Sequence, residues 1–329
     1  MNYNYDSMIT GVGFAVPEKV LTNKDFEEIV ETSDEWIYER TGMKERHIGE
    51  EGMVTSDLCT QASLIAMERA KVSADQIDAI IIGTITGDVS FPATACYVQD
   101  KLNADNAVAF DISAACSGFL YAIEIADSFI ASGKYKTVLV IGGEMLSRVT
   151  DYEDRRTCVL FGDGAGAAIL QPSDGERGII NTYTGTDGHL ADLLNMPGGG
   201  SKHPASHETV DQRMHFIKMA GQEVFKAAVK TMGDAAVKIL KDSDTNSSEL
   251  KWLITHQANT RIIRATAKRI KIPIEKVYIN IHKYGNTSAA SIPIALAEAV
   301  EEGALVKDDL CLLVSFGGGF TYGAVLFKY

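Results

Sequence analysis

Cys116 stands in the run Asp111-Ile-Ser-Ala-Ala-Cys-Ser-Gly118. The residues before it, Ala107–Phe110, read as a short buried strand. The residues after it, Ser117–Ile130, carry apolar side chains at helical spacing (Phe119, Leu120, Ile123, Ala126, Phe129, Ile130). The cysteine therefore falls where a strand turns into a helix. Unpaired N–H groups and partial positive charge at a helix N-terminus favour the thiolate, the nucleophilic form. Small Ser117 and Gly118 leave room for a substrate. The same position also suits a cysteine that is one more small buried hydrophobe.

Two further residues follow strand-like runs. His256 comes after Trp252–Thr255, and Asn286 after Val277–Asn280. Ligands in α/β sheets collect at the carboxyl ends of strands, so these loops could bring Cys116, His256 and Asn286 together. Taken singly, His256 also reads as a partly buried histidine, and Asn286 as a turn or cap residue. Gly317-Gly-Gly319 reads either as turn chemistry or as backbone N–H groups turned toward a ligand. Gly162-Asp-Gly-Ala-Gly166 matches neither the dinucleotide fingerprint nor the P-loop, and reads as strand packing.

The elements that must position these residues alternate between β-branched runs and amphipathic stretches, the pattern of sheets covered by helices. Strands are expected at Met8–Phe14, Ala79–Thr84, Ala107–Phe110, Thr137–Ile141, Ala165–Leu170, Leu253–Thr255, Val277–Asn280, Leu310–Ser315 and Tyr322–Phe327. Helices are expected at Asn23–Val30, Ser33–Thr41, Thr55–Ala70, Ala93–Leu102, Ser117–Ser132, Met219–Lys241, Thr260–Arg269 and Ala289–Glu302. The two halves resemble each other. Gln76–Gly83 lies beside Glu249–His256, Val108–Gly118 beside Val277–Ser288, and Leu160–Leu170 beside Ser315–Leu326, in the same order. A duplicated α/β unit accounts for this, with halves at 1–174 and 175–329.

The whole chain sets bounds. Its 329 residues are 46% hydrophobic, ample for a large core. A net charge of −13 argues against nucleic acid as partner. The longest apolar runs are too short to span a bilayer, and the N-terminus lacks the pattern of a signal peptide. The five cysteines are widely spaced without a Cys-x-x-Cys, which fits a reducing, cytoplasmic setting. His203 and His207, near the glycine-rich Met196–Ser201, show no metal-ligand spacing.

Several long motifs occur together in order: Thr32-Ser-Asp-Glu-Trp36-Ile-x-x-Arg40-Thr-Gly, Ser113-Ala-Ala-Cys116-Ser-Gly, His256-Gln-Ala-Asn259, Tyr284-Gly-Asn286-Thr-Ser-Ala-Ala-Ser291-Ile-Pro and Phe316-Gly-Gly-Gly-Phe-Thr321. This set resembles the β-ketoacyl-[acyl-carrier-protein] synthase III family, from about residue 8 to the C-terminus. The resemblance implies the thiolase-like fold, two α/β halves in a five-layer αβαβα arrangement. It implies an acyltransferase that starts fatty acid synthesis by condensing a short acyl-CoA with malonyl-[acyl carrier protein].

By that resemblance, Cys116 is the nucleophile that carries the acyl group, and His256 and Asn286 stabilise the enolate formed when malonyl loses carbon dioxide. The backbone N–H groups of Cys116 and Gly318 form the oxyanion hole. Trp36, Arg40 and Arg155 match contacts to the CoA adenine and phosphates, and Phe91 matches a residue that reaches the partner's acyl pocket in a homodimer. No metal or other cofactor is implied. Asn286 stands where elongating synthases carry a second histidine, and Phe316–Phe320 lacks the second cysteine of thiolases.

The helix Thr260–Arg269 and its flank carry Arg261, Arg264, Lys268, Arg269 and Lys271 with no acid. In a chain this acidic, such a helix, with Lys226 on a neighbour, suits an acidic carrier protein; a solvated face is the plainer reading. Three rivals are a synthase of a secondary-metabolite pathway with another acceptor, a cysteine hydrolase, and a non-catalytic acyl-CoA-binding protein of the same fold. The hydrolase signature around the nucleophile is absent, and the Cys-His-Asn set argues against the non-catalytic reading.

Overall fold

Ala79-Ile-Ile-Ile-Gly83 is buried along its whole length, as a parallel strand covered on both faces must be. The computed structural model that contains it describes residues 5–329. Strands β1 (Ser7–Ala15), β2 (Ala79–Gly83), β3 (Val108–Ile112), β4 (Val138–Met145) and β5 (Asp163–Pro172) form one sheet in the order β1-β5-β4-β2-β3. Strands β6 (Gly178–Thr186), β7 (Trp252–Thr255), β8 (Val277–Tyr278), β9 (Leu310–Gly317) and β10 (Thr321–Lys328) form a second, in the order β6-β10-β9-β7-β8. The two orders are the same when strands are matched in sequence.

The pairing repeats as well. β2 runs parallel to β3 and β4, and β5 is antiparallel to β4 and β1. In the second sheet β7 runs parallel to β8 and β9, and β10 is antiparallel to β9 and β6. β6 has no counterpart among the strands expected from sequence. Its polar Asn181-Thr-Tyr-Thr-Gly-Thr186 lies at a sheet edge, half-buried, and hides the alternation. The glycine-rich stretch after Gly162 forms β5, as expected from the absence of a helical pattern behind it.

Helices α1 (Asp34–Thr41), α2 (Thr55–Ala70), α3 (Thr94–Leu102), α4 (Gly118–Ala131), α5 (Gly221–Asp242), α6 (Thr260–Arg269) and α7 (Ser291–Glu301) complete the framework. α4 and α7 lie between the sheets, in a core that takes Phe119, Ile123, Ile292 and Leu296 from the helices, Ile81 and Val140 from one sheet and Leu313 and Val325 from the other. α2 and α3 pack outside the first sheet, α5 and α6 outside the second. The layers are thus α, β, α, β, α, the thiolase-like arrangement. α7 is buried on nearly every residue, which is why its sequence is apolar at most positions, with Ser291, Glu298 and Glu301 the exceptions.

Candidate active site

Each central helix begins from a tight turn with one residue in the left-handed region. Ala115 (φ 45°) opens the turn Ala115–Ser117 before α4, and Ser288 (φ 49°) opens the turn Ser288–Ala290 before α7. Cys116 therefore matches Ala289 in the duplication, a register a few residues from the one suggested by sequence, which set Cys116 against Asn286 and Thr287. A left-handed non-glycine residue costs roughly 1–2 kcal/mol.

The second sheet grips the nucleophile turn. Ser315 Oγ donates to the Cys116 carbonyl at 2.7 Å, and Thr321 Oγ1 to the Ala114 carbonyl at 2.7 Å. Gly317 passes so close that a Cβ there would lie 2.6 Å from Cys116 N. The motif Ser315-Phe-Gly317 is thus required by contact with the turn, whatever else it does.

His256 follows β7, and its N–H donates to Val314 O at 2.8 Å. Its Nδ1 lies 2.7 Å from Ser291 Oγ, which also accepts the Gln257 N–H at 3.3 Å. Gln257 Oε1 accepts from Asn280 N and Ile281 N, each at 3.2 Å, so the histidine loop is tied to the segment leading to Asn286. Asn286 N donates to Leu160 O at 2.9 Å, and Asn286 O accepts from Gly162 N at 3.0 Å. Its Oδ1 accepts the Ser288 N–H at 2.9 Å. That bond identifies the oxygen, because a backbone N–H cannot donate to an NH2 group. The Nδ2 donors are left for the cavity.

Cys116, His256 and Asn286 line one cavity of about 130 Å³ with Phe161, Leu194, Phe225, Phe316 and Gly317. A second cavity of about 300 Å³, lined by Ile85, Leu146, Val149, Phe161, Leu194, Ile217 and Gly318, also reaches Cys116. The nucleophile candidate thus stands where two mostly apolar chambers meet, one holding His256 and Asn286 and the other Ser113, Asn195 and Ser288.

The electrostatics correct one expectation. Burial pushes the Cys116 thiol up to about 12, although part of its surface faces the cavities; the nearby Ser288 hydroxyl acts against this. Burial likewise pushes His256 down to about 3. A position before a helix is therefore not enough to make a resting thiolate here. At neutral pH the pair rests as thiol and neutral imidazole.

The remaining sequence candidates divide. The guanidinium carbons of Arg40 and Arg155 lie 5.9 Å and 5.4 Å from the Trp36 ring centroid, so these three form one cluster on the surface. Asn259, which lines the first cavity, donates from Nδ2 to Arg40 O at 2.9 Å and joins this cluster to the cavity rim. Arg261 lies over Phe225 at 5.0 Å. Lys226, Arg261, Arg264 and Lys268 are exposed on α5 and α6. Arg269 stands apart: it pairs with Asp234 at 3.0 Å and packs over Gly233, which serves the α5–α6 contact. Phe91 is 85% exposed and lines neither cavity.

Among the described residues no group of three or more His, Cys, Asp or Glu could hold a metal ion, and no helix is long and apolar enough to cross a membrane. Sequence reading missed Ser291, Gln257, Ser288 and Glu144. The first three stand inside quoted motifs. The signal for Glu144 was a lone carboxyl in a wholly buried strand.

Comparison with known proteins bears on this site directly. The models of 3-oxoacyl-[acyl-carrier-protein (ACP)] synthase III and of its C-terminal region match residues 110–188 and 240–329. A β-ketoacyl-[acyl-carrier-protein] synthase III of Desulfitobacterium hafniense is 53% identical over 321 residues, covering 98% of this chain and 97% of the relative. The chain belongs to the synthase III family. A synthase III of Clostridioides difficile is 51% identical over 326 residues, covering 99% of each. The crystal structure of 3-oxoacyl-[acyl-carrier-protein] synthase III from Aquifex aeolicus superposes with a TM-score of 0.91 at 49% identity, over 98% of this chain and 100% of that one. As a synthase III family member, the chain is a condensing acyltransferase of fatty acid synthesis.

Proposed function

We propose that the chain condenses a short acyl-CoA with malonyl-[acyl carrier protein], giving 3-oxoacyl-[acyl carrier protein], CoA and carbon dioxide. The observation that carries this reading is the meeting of Cys116, His256 and Asn286 on one cavity with an apolar chamber behind the sulfur. Cys116 Sγ attacks the acyl thioester, and the acyl chain enters the apolar chamber. The N–H groups of Cys116 and Gly318 receive the oxyanion. The malonyl thioester carbonyl then lies against His256 and Asn286. Nδ2 of Asn286 is free to donate, and His256 donates from Nε2 when Ser291 donates to Nδ1. Two N–H donors favour the enolate over the ketone, so decarboxylation is lowered in barrier. The enolate attacks the acyl-cysteine.

CoA rests on the Trp36, Arg40 and Arg155 cluster, a flat ring and two guanidinium groups suited to stacking and phosphate. The acidic carrier docks on Lys226, Arg261, Arg264 and Lys268. Arg261 sits in the first turn of α6, where the helix dipole disfavours positive charge. Arg261 gains a local contact with Phe225, and an anionic partner would draw on its charge and on that of Arg264. Arg269, engaged with Asp234, contributes less.

We assign the active form as a cytoplasmic homodimer. β3 is the outermost strand of its sheet, with Val108 49% exposed, and Phe91 is displayed nearby in sequence. A bare edge strand calls for cover, and a second copy would cover it and receive Phe91 at its acyl chamber. The halves divide between residues 174 and 175, ahead of β6. The chemistry uses thioesters, side chains and backbone N–H groups, so no metal or prosthetic group is assigned. The test is product analysis with malonyl-[acyl carrier protein] and a panel of acyl-CoAs. Equal amounts of 3-oxoacyl product and carbon dioxide support the reading; acyl-CoA hydrolysis without carbon–carbon bond formation overturns it.

A further inference from the structure

Glu144 lies near the end of β4, a strand buried along its whole length, and is itself 0% exposed. Its Oε2 accepts from Thr84 Oγ1 at 3.3 Å, from Ile85 N at 3.2 Å and from Thr86 Oγ1. Its Oε1 has no hydrogen-bond partner among the described residues. A buried carboxyl oxygen left so is costly. The Ser288 hydroxyl is buried too, and also lacks a well-formed partner. Its turn packs on β4, and it lines the same cavity as Cys116, which places it to bear on the protonation of both this carboxyl and the Cys116 thiol. Its place is set by backbone. Ser288 takes φ 49°, and its turn can lie on β4 because Gly142 has no side chain to strike the Ala289 carbonyl.

A serine hydroxyl has one hydrogen to give and two lone pairs. With Glu144 ionised, a turn of the Ser288 hydroxyl would let it donate to Oε1 and accept from the Cys116 S–H. With Glu144 protonated, Oε1–H would donate to Ser288, and Ser288 would donate to the thiolate. The two arrangements differ by one proton moved along the line.

We propose that Glu144, acting through Ser288, takes up the Cys116 proton when the acyl group is loaded and holds it until the thiol is regenerated. As Sγ attacks the thioester carbonyl, the S–H bond breaks and its proton joins Ser288 Oγ, whose own proton passes to Glu144 Oε1. CoA leaves with the electron pair of the broken C–S bond and takes a proton from solvent. When the enolate forms the new carbon–carbon bond, Cys116 sulfur leaves with its electron pair. The proton then returns from Glu144 through Ser288. Each turnover thus consumes one solvent proton, which ends on CoA.

The surroundings suit this role. Burial lifts Glu144 to about 7, against the hydrogen bonds that lower it, so it takes a proton readily near neutrality. Its negative charge opposes the thiolate at Cys116, and protonation removes that opposition. Cys59 on α2, buried and pushed well above the usual thiol range, also feels its charge and stays protonated. The neighbours at 84–86 are neutral.

The inference rests on acylation of Cys116, and the test separates the two. Infrared difference spectra of the full chain are recorded before and after loading with acetyl-CoA, with intact-mass analysis of the same samples. A protonated-carboxyl band that appears on acylation, shifts in deuterium oxide and is missing in Glu144→Gln is expected. In single turnover, Glu144→Gln and Ser288→Ala should each slow acylation about tenfold or more, with Glu144→Asp recovering part of the rate. An acylated wild-type protein without that band, or Glu144→Gln loading at the wild-type rate, overturns the relay alone. If Glu144→Gln fails to fold, the wild-type band and Ser288→Ala decide. A wild-type protein that is not acylated on Cys116 removes the underlying reading first.

Discussion

Ser291 Oγ lies 2.7 Å from His256 Nδ1 and accepts the Gln257 N–H from its other side. The first residue of α7 thereby orients a ring from the loop after β7. When the serine hydrogen is given to Nδ1, the histidine proton is left on Nε2. Ser291→Ala should therefore lower malonyl decarboxylation about tenfold, the equivalent of one lost hydrogen bond of about 1.4 kcal/mol. Acylation of Cys116 should hold near the wild-type rate. Stopped-flow assays of the two half-reactions check this; equal losses in both would contradict it.

Gly317 has the opposite role, since it matters for what it lacks. A Cβ 2.6 Å from Cys116 N has nowhere to go, as Ser315 and Thr321 pin the same turn. Gly317→Ala should cost about 1–3 kcal/mol of stability, the usual effect of overpacking. It should also slow acylation by displacing the turn. Chemical denaturation together with acyl loading tests both effects.

Charge reversal at Arg261 and Arg264 should raise the apparent KM for malonyl-[acyl carrier protein] by about tenfold or more, since it sets like charges against the acidic carrier. The KM for acyl-CoA should change little, because the Trp36 cluster is untouched. The carrier's KM should also rise with salt in the wild type and less steeply in the variant. Equal rises for both substrates would place the basic face elsewhere in the mechanism.

The buried His256 makes a statement about stability. Its folded value is depressed to about 3 from 6.5, so the unfolded state takes the proton first as pH falls. The unfolded state binds more protons between these values, and stability drops as pH falls through 6.5 toward 3. His256→Asn should weaken this slope. Denaturation midpoints measured between pH 7 and pH 4 on both proteins provide the check, the difference between them isolating the histidine.

Much of the framework was legible because buried strands and helices carry their period in the chain. Ala79–Gly83 is apolar along its length and Val138–Met145 is so but for Glu144, and the central helices α4 and α7 are apolar at most positions. The duplication was visible in the order of motifs, yet its register was not, since Ala115 and Ser288 share a backbone angle rather than a side chain. β6 was hidden because an edge strand half-open to solvent need not alternate. The protonation of Cys116 was misjudged for a related reason. The helix N-terminus can be read from residue types, while the depth of burial that opposes it depends on both sheets at once. Glu144 and Ser288 are far apart in sequence, and the contact between β4 and the turn before α7 brings them together.

The central claim is that Cys116 carries the acyl group while His256 and Asn286 act afterwards. Intact-mass analysis after incubation with acetyl-CoA tests it most directly. One acetyl group should appear on the wild type, on His256→Ala and on Asn286→Ala, mapped to Cys116 by peptide analysis, and none on Cys116→Ala. Acetylation that persists in Cys116→Ala, or that is lost in His256→Ala and Asn286→Ala, would contradict the account.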